Sequence, residues 1–360
     1  MTTAALRVGV VGCGMISDRY VENSAAFPTF EVVSCADRDP AAAKRLASKF
    51  KLDRLSIDEL LADPRIDLVL NLTPPQAHLA VSRGALEAGK HVYSEKPVAL
   101  TVEAARELLA LAEQRGLRIG CAPDIFLGAA YQQARALLDE GAIGEPLSVS
   151  AAMLVGGQTA WHPNPDIFFA DGAGPLLDMG PYYLTAIVAL LGPVARVASF
   201  ASTRLAEQVI EIGPRAGEQF ATETPTHTAA ALELASGVTA NFVASFEAPG
   251  QYVCDLVVHG SSGVLELPDP NYFDGPVRIR RERDETVEVR YTPRGEQDAR
   301  GAGLHDLALA IAEGRPHRAS GELACHVVDV ARTILAAAAA GRVLEVGTRV
   351  ERPATFAQLA

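Results

Sequence analysis

Through residue 122, hydrophobic positions fall in short unbroken runs separated by stretches of helical spacing. The runs are LRVGVV (6–11), EVVSCA (31–36), DLVLNL (67–72), HVYS (91–94) and LRIGC (117–121). Apolar residues at nearly every position, rather than at alternate ones, predict strands covered on both faces. Helical patterns lie between them near 15–25, 40–50, 76–88 and 101–115. Alternation of such strands with helices predicts a parallel sheet with right-handed crossovers. Pro123 interrupts the pattern, so a first α/β domain is expected over 1–123.

A helix is predicted near 127–140, and the texture then changes. Segments near 146–155, 194–203, 226–235, 237–247, 252–259, 263–267, 276–283 and 286–291 read as strands, with turn signals in ASGVT (235–239) and SSGV (261–264). Strands that follow one another without helices predict a mostly antiparallel sheet. The second domain, 124–360, is therefore expected to be α+β, closed by helices near 303–313 and 320–340.

Composition narrows the function classes. A chain of 360 residues exceeds the usual single core, in agreement with two domains. With 49% hydrophobic and 21% charged residues it has the balance of a globular protein. A net charge of -12 argues against nucleic acid or an anionic membrane surface as the main partner. The start lacks a basic segment before an apolar core, so no signal peptide is expected. The longest apolar stretch, 176–192, holds Asp178 and Pro181 and is too short to span a bilayer, so no membrane segment is expected. Cys13, Cys35, Cys121, Cys254 and Cys325 are scattered and never spaced C-x-x-C, which predicts no structural zinc and a reducing, cytoplasmic location. No His/Cys/carboxylate cluster has metal-ligand spacing.

The first strand ends in Gly9-Val-Val-Gly12-Cys-Gly14-Met15-Ile16-Ser17 and runs into a helix. Gly12 permits the tight turn, and Gly14 lets a pyrophosphate approach the main chain. The phosphates then meet the free N–H groups and positive dipole end of the helix that opens at Met15 and Ile16. Ser17 takes the place of the third glycine, which serves close packing. Asp37 ends the second strand 23 residues after Gly14, where a carboxylate can accept from the adenosine ribose hydroxyls and repel a 2′-phosphate. NAD is the expected cofactor, with NADP the alternative. Arg38 is open to three readings: stacking on adenine, pairing with a 2′-phosphate, or a solvated strand end.

Hydride transfer to or from a carbinol needs a group that takes or gives the hydroxyl proton. The lysines are Lys44, Lys49, Lys51, Lys90 and Lys96. The first three lie on the second helix or just after it, Lys90 precedes a strand, and all four read as solvated surface positions. Lys96 stands in Ser94-Glu95-Lys96-Pro97 at the carboxyl end of a strand, where ligands of open α/β sheets bind. Burial and the positive nicotinamide ring would lower its pKa toward the working range.

With the G-x-G start, Thr73-Pro74-Pro75 followed by His78, and above all Glu95-Lys96-Pro97, the chain resembles the glucose-fructose oxidoreductase, inositol dehydrogenase and rhizopine-catabolism family. Gly141-Ala-Ile-Gly144 and Gly172-Ala-Gly174 with Asp178-x-Gly180 extend the resemblance over nearly the whole chain. It implies a Rossmann domain followed by an open-faced sheet domain, with the active site between them. It also implies cofactor contacts from Thr73, Pro74, His78, Glu95 and Lys96, a cis peptide before Pro97, and a homodimer or homotetramer formed through the exposed sheet.

In Pro175-Leu-Leu-Asp178-Met-Gly180-Pro181-Tyr182-Tyr183, Pro175 suits a helix start, which sets Asp178 and Tyr182 four apart on one face. Many family members carry histidine where Tyr182 stands; a tyrosine there resembles the glucose-fructose oxidoreductase and dimeric dihydrodiol dehydrogenase branches. Tyr182 is the expected substrate-oxygen partner and proton donor or relay, and core packing is its competing reading. Asp178 orients Lys96 or a substrate hydroxyl, or serves the helix dipole alone. For Tyr183 core packing is favoured. The long loop 156–174 holds the only tryptophan, Trp161, which either lies against a sugar face or caps the core, with His162 a weaker substrate candidate. His305 is weaker still, and His259, His317 and His326 have no expected catalytic role. Asp124 and Phe126 stand where many members have a basic residue, which counts toward a neutral, polyhydroxylated substrate near Asp124. The sequence thus reads as an NAD(P)-dependent oxidoreductase of a sugar, cyclitol or similar polyol. A non-catalytic dinucleotide-binding regulator and a reductase of a non-sugar carbonyl or dihydrodiol are the alternatives.

Overall fold

The computed structural model describes residues 5–248, 250, 252–281, 287–291 and 299–356. In chain order its first elements are β1 (Leu6–Val11), α1 (Met15–Ser24), β2 (Phe30–Ala36), α2 (Pro40–Phe50), β3 (Asp53–Arg54), α3 (Ile57–Ala62), β4 (Leu68–Asn71), α4 (Pro75–Glu87), β5 (His91–Ser94), α5 (Val102–Gln114) and β6 (Ile119–Cys121). There follow α6 (Ala129–Asp139), β7 (Pro146–Leu154), α7 (Gln158–Trp161), α8 (Gly174–Asp178), α9 (Gly180–Leu191), β8 (Val194–Ser202), β9 (Glu207–Val209), β10 (Gln219–Ala221), β11 (His227–Leu234) and β12 (Thr239–Ser245). The last are β13 (Val253–Gly260), β14 (Gly263–Leu267), β15 (Val277–Arg281), β16 (Val287–Tyr291), α10 (Ala302–Glu313), α11 (Gly321–Ala340) and β17 (Leu344–Glu345). Residues 282–283 and 286 of the two strands expected near 276–283 and 286–291 lie outside the described residues.

The first compact unit takes Met1–Leu127 together with Ala299–Val328. Its six strands run in the order β3-β2-β1-β4-β5-β6, every pair parallel. The unbroken apolar runs have the predicted consequence: Val8, Val10, Val11, Leu68, Val69, Leu70 and Val92 are fully buried, as strands covered on both faces must be. Beyond the five expected strands, the short β3 adds an edge. A capping box opens α3, in which the Ser56 hydroxyl accepts from Glu59 N–H and the Glu59 carboxylate accepts from Ser56 N–H. Asp39 caps α2 ahead of Pro40, and the helix stops where Lys51 turns left-handed at φ 58°.

The second unit takes Gly128–Asp298 and Asp329–Ala360. Its sheet has the order β16-β15-β14-β13-β7-β12-β11-β8-β17. All of its pairs are antiparallel except β7 with β12. These two strands are joined not by a hairpin but by the long excursion through α8, α9, β8 and β11, and such a crossover is what a parallel pair requires. Buried and exposed residues alternate along β11 and β12, so one sheet face is covered and the other is not. Apolar α9 is buried along its length, with Tyr183 stacked on Phe242 of β12 at 5.4 Å between ring centroids.

A single cut at 123/124 therefore misses one feature, the return of residues 299–328 to the first unit. The return is bonded along β6: Cys121 N–H donates to Ala319 O, Gly120 bridges Ser320, and His317 meets Ile119 O at 2.8 Å. No local pattern announces bonds between partners this far apart in the chain. Nor is 176–192 the longest apolar stretch. Gly321–Ala340 is long and apolar enough to cross a membrane by length and composition, although 61% of its most apolar window is buried in the fold.

Candidate functional site

The glycine-rich turn joins β1 to α1 at the carboxyl end of the parallel sheet. Gly12 has φ +101°, and a Cβ there would lie 2.5 Å from the carbonyl carbon of Leu72, so the fold itself demands glycine. Gly14 differs. Its backbone is extended (φ -73°, ψ -168°), and a Cβ would meet nothing within 4 Å. It is also the N-cap of α1, where no side chain accepts from the free N–H groups of the first turn. Open space before bare helical N–H groups suits an anionic pyrophosphate, so these residues fit a dinucleotide. Met15, next in line, is 78% exposed, and Ile16 is half-buried. Ser17 is fully buried and its hydroxyl donates to Gly14 O at 2.6 Å, so it ties the turn as well as filling the third glycine's place.

Asp37 lies just past the end of β2, beside this turn. One carboxylate oxygen accepts from Cys13 N–H at 2.6 Å and the other from Asp39 N–H at 2.7 Å. Each oxygen retains a further lone pair that a ribose hydroxyl could use. Arg38 is exposed. The basic residue that grips the turn is instead Arg45 of α2, which donates to Cys13 O and to Asp18, each at 2.7 Å. Nothing in the local sequence marks Arg45, because its target lies 32 positions away.

β4 and β5 end beside the same edge. Asn71 accepts from the Thr73 hydroxyl at 2.6 Å and donates to His78 O and to the Ser82 hydroxyl, so it fixes the step into α4. Thr73 is half-buried and Pro74 exposed. His78 is fully buried, with Nδ1 2.6 Å from Pro97 O and Nε2 2.7 Å from Thr73 O. The expected cis peptide joins Lys96 to Pro97, and a second cis bond precedes Pro123. Glu95 turns one carboxylate oxygen to the Tyr20 hydroxyl (2.9 Å) and the other to Lys96 N–H (3.0 Å), so the motif's acid braces the lysine's own backbone. Lys96 is half-buried.

Asp124 lies within the first unit, two per cent exposed, and its carboxylate accepts from Gly303 N–H at 2.7 Å. Burial pushes its pKa up to about 6, against the pull of the Gly303 N–H. A carboxyl so enclosed holds the start of α10. Among the other histidines, His305 stacks on Phe27 and meets the Thr29 hydroxyl at 2.7 Å, a packing role in unit one.

In the second unit the predicted single helix from Pro175 is broken. α8 ends at Asp178 and α9 begins at Gly180, because Pro181 has no N–H to donate back to Leu177 O. The shared face expected for Asp178 and Tyr182 does not follow from two separate helical segments. Asp178 is half-buried, Tyr182 is 8% exposed, and Tyr183 belongs to the core. Trp161 is 56% exposed, which sets aside its reading as a core cap. It forms an aromatic cluster with His162 and Phe168 at centroid distances of 5.2–5.5 Å. Asn164 N–H donates to His162 Nδ1, and Arg215 donates to Asn164 and Asp166, bracing this loop.

Two family descriptions match the chain: "Oxidoreductase family, NAD-binding Rossmann fold" over residues 6–122 and "GFO/IDH/MocA C-terminal domain" over residues 131–266. The chain is 31% identical over 340 residues to dTDP-3,4-didehydro-2,6-dideoxy-alpha-D-glucose 3-reductase of Streptomyces antibioticus, covering 92% of this chain and 95% of the relative. It is 29% identical over 285 residues to trans-1,2-dihydrobenzene-1,2-diol dehydrogenase of Bos taurus, covering 78% and 79%. Levoglucosan dehydrogenase solved with NADH shares the fold, with a TM-score of 0.84 and 22% identity over 96% of this chain and 100% of that one.

Proposed function

Because the chain belongs to the GFO/IDH/MocA family of oxidoreductases, whose NAD-binding Rossmann fold is its first unit, we propose that it transfers hydride between NAD(H) and a carbinol or carbonyl carbon of a sugar, cyclitol or similar polyol. The observation that carries this reading is Lys96. It follows β5 in the same parallel sheet whose β1 leads into the glycine turn, and both turns lie at the strands' carboxyl ends. When bound, the nicotinamide supplies the hydride chemistry. The chain binds the dinucleotide along Gly12–Gly14 and Asp37, orients Lys96 through Glu95, and moves the hydroxyl proton through Lys96 and Tyr182. Asp178 orients one of these groups, and Trp161 and His162 meet the sugar. Asp37 favours NAD over NADP by repelling a 2′-phosphate.

Support for a polyol substrate comes from the deoxysugar reductase relative, and the dihydrodiol dehydrogenase relative supports a vicinal diol as the minimum unit recognised. Five free cysteines accord with a reducing, cytoplasmic setting. Exposed Phe200 on β8 and Leu147 on β7 accord with a homodimer or homotetramer formed through the sheet. The deciding experiment is a panel of sugars, cyclitols and dihydrodiols with NAD and NADP, read by nicotinamide absorbance. Tight NADH binding with no turnover of any class would replace this reading with that of a regulator.

A further inference from the structure

His78 is placed where no neutral histidine is satisfied. Its ring is fully buried, and both nitrogens face backbone carbonyl oxygens, Pro97 O at 2.6 Å and Thr73 O at 2.7 Å. A carbonyl oxygen only accepts, so each contact needs an N–H on the imidazole, and a neutral ring has one. We propose that His78 is a buried imidazolium that donates from both ring nitrogens, clasping the turns after β4 and β5 and so positioning Lys96.

The charged groups facing the ring are the Glu95 carboxylate and the Lys96 ammonium. Burial is the largest influence and pushes the imidazole pKa down, as does Lys96; the two carbonyls and Glu95 push it up. The net direction is downward even with both contacts closed, and it is the contact geometry that opposes it. With one N–H, the bare nitrogen would face a carbonyl oxygen lone pair to lone pair at 2.6 or 2.7 Å. Glu95 meanwhile accepts from Tyr20 and from Lys96 N–H, which holds both its oxygens beside the clasp. The clasp is anchored at its base by Asn71, which donates to the carbonyl of His78 itself. His78 thus acts on the cofactor edge through the two loops, not by touching the ligand, and its charge disfavours a protonated Lys96.

The effect on turnover rests on the reading of Lys96 above; the charge state of His78 does not. The test is nitrogen NMR on the full chain labelled with 15N-histidine, in the presence of NADH at pH 7.5, with the His78 signals assigned by their loss in His78→Gln. Both ring nitrogens are expected at shifts of the protonated type. One nitrogen at an unprotonated shift would overturn the proposal, and this reading needs no variant to be active. In folded His78→Gln, NADH binding should weaken several-fold, less than in His78→Leu, because the amide still donates to one carbonyl. The alkaline shift of the turnover profile should be about half a unit or more, since a neighbouring cation has gone. A profile that does not move in this variant, while Lys96→Ala abolishes turnover, would overturn the positioning role. Retained turnover in Lys96→Ala would instead sink the lysine assignment and leave the NMR result to decide His78.

Discussion

Substituting alanine for glycine at positions 12 and 14 separates a glycine that the fold requires from one that a ligand requires. At Gly14 the backbone is already in a region open to any residue, and the new methyl group would meet nothing within 4 Å. Alanine is a poorer N-cap than glycine, by about 0.5–1 kcal/mol, but it also lowers the entropy of the unfolded chain by about 0.4–1 kcal/mol. The two effects oppose each other, so cofactor-free stability should change by less than about 1 kcal/mol. A bound pyrophosphate would occupy the space the methyl enters, and overpacking of that kind costs about 1–3 kcal/mol. That corresponds to roughly five- to 150-fold weaker NADH binding. At Gly12 the order reverses: φ of +101° and a Cβ 2.5 Å from the Leu72 backbone should cost about 3 kcal/mol or more of stability. Urea unfolding without cofactor and titration of NADH fluorescence measure the two quantities separately, and the cofactor must be absent from the first because binding stabilises the folded state. If Gly14→Ala folds and binds NADH as tightly as the unaltered chain, the pyrophosphate does not cross that turn.

Lys96→Ala should lose turnover by orders of magnitude while NADH affinity, titrated as above, changes little; retained turnover would remove the lysine from proton handling. Asp37→Ala should erode preference for NAD over NADP in steady-state comparison, and should also lower stability by about 1 kcal/mol through the lost acceptor for Cys13 N–H. Asp124→Asn tests the buried carboxyl by its pH dependence. The group has a folded pKa of about 6 against an ordinary 3.8, so its stabilising protonated form is complete below about pH 4 and is lost as pH rises through 6. Between those limits the unaltered chain should therefore lose about 2 kcal/mol relative to Asp124→Asn. Parallel unfolding curves at pH 4.5 and 7.5, with an unchanged gap between the two proteins, would show that the carboxyl titrates normally.

Much of the cofactor edge was legible in the chain because it depends on local backbone preferences. The unbroken apolar runs, Gly12 and Gly14 between strand and helix, and Asp37 at the next strand end each follow from residue type and short spacing. The Ser56–Glu59 capping box that opens the short α3 is an equally local signal. The break at Met179 could also have been anticipated, since Pro181 lacks the N–H that a continuous helix needs.

Other features have no signature in periodicity. Arg45 on Cys13 O, Tyr20 on Glu95 and the parallel pairing of β7 with β12 join positions far apart in the chain. So does the return of residues 299–328 along β6. A repeat of 3.6 or 2.0 residues records which face of an element is buried, not which distant group that face meets. Residue type and spacing alone thus carried the α/β fold of the first unit, the sheet character of the second and the glycine turn of an NAD-binding fold. The long-range contacts are a product of folding: Glu95 turned to Tyr20, Asp124 enclosed at the start of α10, and His78 spanning two carbonyls. Each is a bond between buried polar groups, and such groups find partners only where the folded chain brings them together.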